Sequence, residues 1–164
     1  MRSRRFKSLA FAALLLASPA AAEDLPIAED KLVVLACLEQ MEITTTWPQC
    51  LNLMFEPCAE EVPGSDAHAT CLTGVRDAWR GSAKTLQEEV MSRVTTEGAN
   101  QVLNLIVIWS DFVTQKCEEV AQSRPEGAES ARLGCEVSEI AGLTDEFAAC
   151  LEGRSTAEYC EIEG

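Results

Sequence analysis

Eight cysteines are the residues here with the most chemistry to offer: Cys37, Cys50, Cys58, Cys71, Cys117, Cys135, Cys150 and Cys160. Thiols at this density hold zinc, exchange with disulfides, or pair as structural bridges, and spacing separates the three. Structural zinc draws thiolates from close pairs with roughly two to four residues between them. The smallest gap here, Cys50 to Cys58, leaves seven. A thioredoxin-type redox site needs Cys-x-x-Cys, and none occurs. The count is even, which favours paired disulfides in a chain that leaves the cytoplasm.

Nucleophilic catalysis would need a base, and the chain has a single histidine, His68. Any Ser–His or Cys–His pair would have to use it. It lies near the start of a long helical stretch and reads as a surface residue. No Gly-x-Ser-x-Gly elbow, Walker loop or Gly-x-Gly-x-x-Gly surrounds any glycine. A glycosidase needs two placed carboxylates. With 27 acidic residues, chance pairs are certain, so composition carries no such signal. Glu88-Glu89 and Glu118-Glu119 read as solvated helix faces. The expectation is a non-enzymatic protein with no catalytic, cofactor-binding or metal-binding residues, whose notable side chains are the eight disulfide cysteines.

The chain opens MRSRRFKSLAFAALLLASPAAAED. Arg2, Arg4, Arg5 and Lys7 make a positive n-region, Leu9 to Ala17 a short apolar h-region, and Ala20 and Ala22 a small-residue cleavage site. This is the pattern of a Sec-type signal peptide, residues 1–22, cleaved after Ala22. The apolar run is too short to span a bilayer. The expected product is a periplasmic or secreted single domain, residues 23–164, with no stable membrane anchor. Cleavage would remove four of the thirteen basic residues and no acidic one, leaving nine against 27 and a net charge of −18. Nucleic acid and anionic membrane suit such a surface poorly. A basic protein suits it well, because opposite fields speed encounter; the bland reading is that acidity only maintains solubility.

The elements that must position the cysteines read as helices broken by turns. Residues 27–42 suit a first helix with Leu32, Leu35, Ala36 and Met41 on its apolar face. Thr44 to Thr46 make a turn, Pro48 suits the first position of a second helix, and Pro57 ends it. Pro63-Gly64-Ser65 is a breaker. A long helix follows over roughly 66–97, capped by Ser65 or Asp66 and closed by Gly98. Leu72, Val75, Trp79, Leu86, Val90 and Val94 lie near one face. Residues 100–122 form another helix. Its centre, VLNLIVIWSDFV (102–113), is apolar nearly all round and should be the most buried element. A buried strand is the runner-up there, because its β-branched residues favour sheets. After Arg124-Pro125-Glu126-Gly127 comes a helix over 128–151. Ser155 and Glu158 then suggest a capping box for a short last helix. The fold class is all-α: a disulfide-stapled bundle of about five to six helices. Trp79 and Trp109 lie on apolar faces and read as core; Trp47, in a turn, is the best candidate for an exposed anchor.

These turns suggest a pairing. Cys37 and Cys50 flank the threonine turn, Cys58 and Cys71 flank Pro63-Gly64, Cys117 and Cys135 flank Pro125 to Gly127, and Cys150 and Cys160 flank Gly153-Arg154. In an antiparallel helix pair, residues equidistant from the turn face each other, as a disulfide's short Cα separation requires. The expected bridges are sequential: 37–50, 58–71, 117–135 and 150–160.

Several segments resemble the lysozyme inhibitor LprI-like family. ATCLTGVRDAW (69–79) resembles its block of a Cys-Leu pair before a helical tryptophan, and residues 36–72 its cysteine-rich start. IWSDFVTQKC (108–117) resembles its Trp-to-Cys helix, with Trp109 and Cys117 eight positions apart and Phe112 between them. Gly127, Cys135, Thr144 and Leu151 resemble its closing residues. The chain departs from the pattern at Val113 and Thr114, where the family has an Arg-Asp pair, and at Phe147, where it has arginine. Thr144 also lies further from Cys135 than usual. The resemblance implies a helical, disulfide-bonded fold and binding to a basic lysozyme or similar protein. It supplies no inhibitory residues for this chain. The alternative is a structural or adaptor protein of the cell envelope; an unrecognised enzyme acting on envelope polymer is a third reading.

Overall fold

The structure, a computed structural model, describes residues 25–41 and 47–161. The expected signal segment, the threonine turn and the side chains of Met41, Trp47 and Pro48 lie outside the described residues. Five α-helices are present: α1 (Glu29–Met41), α2 (Trp47–Phe55), α3 (Asp66–Arg93), α4 (Thr96–Gln122) and α5 (Ala128–Leu151). Short 3₁₀ turns at Glu56–Cys58 and Glu158–Cys160 complete the fold. No strand occurs among the described residues. The chain is an all-α bundle stapled by disulfides.

Local chemistry sets the helix boundaries. Pro57 sits inside the 3₁₀ turn that follows α2, where its missing N–H costs nothing. Ser65 caps α3, its Oγ accepting from the His68 N–H at 3.1 Å. Gly64 and Gly127 both adopt left-handed backbone, with φ of +86° and +82°, a region open to glycine at little cost. The two turns also touch. A Cβ on Gly127 would fall 2.8 Å from the Gly64 Cα. That contact sets the starts of α3 and α5 side by side, so the two helices run in the same sense, with α4 antiparallel to both.

Gly98 does not close α3. The helix stops at Arg93, and Thr95 caps α4 by accepting from the Gly98 N–H at 3.0 Å. Gly98 is small for a tertiary reason: a Cβ there would lie 2.9 Å from the Tyr159 carbonyl, where the C-terminal tail crosses the start of α4. The expected capping box at Ser155 is also absent. Ser155 Oγ accepts from the Ala157 N–H at 3.2 Å and donates to Glu146 at 2.9 Å. It ties the tail to α5, and the 3₁₀ turn that follows starts from Ala157 with no side-chain cap.

The core joins Val34, Leu35 and Leu38 of α1, Met54 of α2, Trp79, Leu86 and Val90 of α3, Val102 of α4, and Val137, Ile140 and Phe147 of α5. Trp79 is buried as expected, and Trp109 is partly buried against this cluster. The apolar face of α1 is rotated from the expected one: Leu35 is buried, Leu32 is half-buried, and Ala36 is exposed. Val34 and Leu38 take their places, one turn apart and directed at the core.

The larger correction concerns α4. Its centre is not the most buried element. Leu103, Val107, Ile108 and Phe112 are 47%, 63%, 70% and 54% exposed. Burial falls instead on α5, which lies between α3 and α4 and also meets α1 and α2. Ala141, Ala148 and Ala149 are buried there, and such small residues let helices approach from more than one side.

All eight cysteines pair in the expected sequential order. Cα separations are 5.6 Å for 37–50, 5.8 Å for 58–71, 5.4 Å for 117–135 and 5.2 Å for 150–160. Each lies within the range a disulfide spans, and each contributes on the order of 2–4 kcal/mol by restricting the unfolded chain. Four such bridges fit an oxidising, extracellular or periplasmic compartment. No described helix is long and apolar enough to cross a membrane.

Candidate functional site

Two features of α4 stand out, one on its outward face and one where it meets α3 and α5. The first is the outward face of α4. At about 100° per residue, Leu103 and Val107 form one ladder, and Ile108 and Phe112 a second beside it. Between the ladders runs a polar line of Asn104, Asp111, Gln115 and Glu118, all exposed. Glu119 continues the second ladder and is also exposed. The only lysine of α4, Lys116, is engaged from two sides. It donates to Glu139 of α5 at 2.6 Å and lies 5.6 Å from the centre of the Phe112 ring.

The second feature is a cleft of about 290 Å³ between α3, α4 and α5. Ile140 and Phe147 of α5 line it and are buried almost completely. Ile106, Trp109 and Val113 make the α4 wall, with Ser110 and Thr114 at its rim; Arg80, Lys84 and Gln87 contribute from α3. The volume sits at the lower end of small-molecule pockets and suits one bulky apolar group. Val113 and Thr114 of α4 and Phe147 of α5 all line this cleft. Phe147 lies far along the chain from the neighbouring pair Val113 and Thr114, and only the fold brings it beside them.

Beside the cleft lies the main ion-pair network. Glu136, only 9% exposed, receives Arg132 from its own helix, Arg80 at 3.2 Å and Arg76 at 3.6 Å. Arg132 also pairs with Glu129 at 2.5 Å. That hydrogen bond lowers the Glu129 carboxyl below its ordinary range and raises Arg132. A buried carboxylate needs such partners to remain charged. The network joins α3 to α5 and reads as structural.

A broader cleft of about 570 Å³ lies between α1, α2 and α3, with Lys31 placed 5.2 Å over the Trp79 ring. Its lining is mostly apolar, and Lys31 is itself paired with Asp30 at 2.5 Å.

The residues weighed for catalysis do not converge. His68 is half-buried beside the Pro63-Gly64 turn, where its Nδ1 accepts from the Gly64 N–H at 3.4 Å. Nearby Cys71 is locked in a disulfide. Glu88 pairs with Lys84 at 3.8 Å and Glu89 with Arg93 at 2.6 Å, while Glu118 and Glu119 face solvent. No group of three or more His, Cys, Asp or Glu side chains among the described residues is placed to hold a metal ion.

Sequence reasoning missed the α4 surface. Its signal was present: Asn104 and Asp111 interrupt the apolar run seven positions apart, which puts them on one side of the helix. No family model, curated protein or solved structure matches the chain.

Proposed function

We propose that this is an acidic binding protein of an oxidising compartment, periplasmic or secreted, that captures a basic protein and acts as an inhibitor of the lysozyme type without catalytic chemistry of its own. The observation that carries the reading is the fate of its cations. Of the nine basic residues after position 22, eight are held in ion pairs with the protein's own acids: Lys31, Arg76, Arg80, Lys84, Arg93, Lys116, Arg132 and Arg154. The excess carboxylates therefore dominate the outward field. A rigid body with such a field attracts basic partners and speeds their encounter. The resemblance of residues 69–79 and 108–117 to the LprI-like family supports a lysozyme as the partner, since lysozymes that attack bacterial walls are often strongly basic.

The test is a turbidity assay in which the oxidised protein is added to animal-type and goose-type lysozymes clearing bacterial cells. Inhibition that weakens as salt rises through the physiological range is the expected result. Capture of a basic envelope protein without inhibition would favour the adaptor reading. Absence of both would leave the acidity as a means of solubility and overturn the proposal.

A further inference from the structure

We propose that the outward face of α4 is the docking surface for a cationic, amphipathic segment of another protein. The inference rests on the reading of the chain as a binder of basic proteins. It adds the place of contact and the chemistry of the element that binds there.

Four large apolar side chains face solvent on one helix: Leu103, Val107, Ile108 and Phe112. Scattered exposed apolar residues are normal, but a contiguous set marks an interaction site. The set is patterned. Two apolar ladders flank a line that carries Asp111 and Glu118, and Glu119 extends one ladder. Lysine and arginine have the complementary shape. Their methylene stems lie along apolar surface while their charged ends reach carboxylates. A helix or strand alternating such residues with aliphatic ones would cover both ladders and neutralise the acids between them.

The pattern selects against other occupants. A second copy would press two strongly acidic bodies together, each bringing Asp111, Glu118 and Glu119 to the shared face. An anionic membrane would meet the same acids. The cation nearest the face, Lys116, is held by Glu139 and the Phe112 ring, so it offers a basic segment little repulsion.

The experiment uses oxidised protein recovered after export of the full chain. Two synthetic helical peptides serve as probes, one of lysine and leucine, the other of glutamate and leucine. Binding is read by fluorescence anisotropy over a range of salt. The lysine peptide should bind and the glutamate peptide should not. Val107→Ser with Ile108→Ser should weaken binding by about tenfold or more, as loss of central apolar anchors does. Asp111→Asn with Glu118→Gln and Glu119→Gln should flatten the salt dependence instead. Both variants should melt within about 2 °C of the parent, because the changed side chains are exposed.

Equal binding of both peptides, no binding of either, or indifference to the α4 substitutions would overturn the surface. So would a dimer that Val107→Ser with Ile108→Ser converts to monomer. Peptide binding without lysozyme inhibition would remove lysozyme as the partner and leave the surface standing. Lysozyme inhibition unaffected by both α4 variants would keep the functional reading and remove the surface.

Discussion

α4 and α5 are of similar length, 27 and 24 residues, and are joined by a disulfide, yet they use their side chains in opposite ways. α4 holds the most aliphatic run in the folded chain and leaves much of it in water. α5 mixes glycine, alanine and acids with fewer large apolar residues, and it is the buried element. The difference shows that burial is set by the number of neighbours. α5 touches α1, α2, α3 and α4, whereas α4 has α5 on one side, a sparser contact with α3, and the tail across its first turn. Composition says what a helix could bury. Topology decides what it does bury.

The contrast can be broken most severely at Phe147, which is fully buried in α5 and lines the cleft. Phe147→Ala should cost about 3–5 kcal/mol in a denaturant titration, the usual range for a large core truncation. A loss below about 1 kcal/mol would mean that α5 is not the packing centre. Replacing Cys117 and Cys135 together by serine removes the covalent tie between the two helices. That should cost about 2–4 kcal/mol while the other three bridges persist on peptide mapping without reduction.

Gly98→Ala tests the place where the tail presses on the first turn of α4. Alanine favours helix by about 1 kcal/mol, but here its Cβ would press on the Tyr159 carbonyl at 2.9 Å. A net loss of about 1 kcal/mol is expected from overpacking. A gain in melting temperature would show that the tail yields easily.

The same tail predicts a pH effect. Burial, then the 2.8 Å hydrogen bond to Glu146, pushes the Tyr159 hydroxyl well above its usual range. A raised folded pKa contributes stability that is fully present below the unfolded value of about 10 and is lost as pH climbs beyond it. Stability should therefore decline from about pH 10 upward, and less steeply in Tyr159→Phe. Parallel curves for the two proteins would contradict the assignment. The smallest change is expected on the open face of α4. Ile108→Ser with Phe112→Ser should leave folding stability within about 0.5 kcal/mol, in contrast to Phe147→Ala.

Much of the frame was legible in the sequence because its signals are local. Pro63-Gly64, Pro125 to Gly127 and Gly153 announce turns, and the cysteines flanking them disclosed their own pairing. Ser65 announced the start of α3. The features that were not legible depend on residues distant in the chain. Gly98 looks like a helix stop until Tyr159 is seen lying over it. Ser155 looks like a cap until Glu146 takes its hydroxyl. The cleft draws on Arg80, Trp109, Val113 and Phe147 from three helices, and no spacing rule connects them. The exposure of Val107 and Ile108 follows from what α4 lacks beside it, which periodicity does not record.

The sequential bridges have a consequence for how the protein is made. Every cysteine pairs with its nearest unpaired successor, at separations of 13, 13, 18 and 10 residues. A chain threaded amino end first through a membrane presents its thiols in that same order. An oxidant that joins each new thiol to the one already waiting would write the native set directly, bridge by bridge, with no wrong pair to undo. On the proposed exported route, each bridge can close before the next pair of thiols emerges.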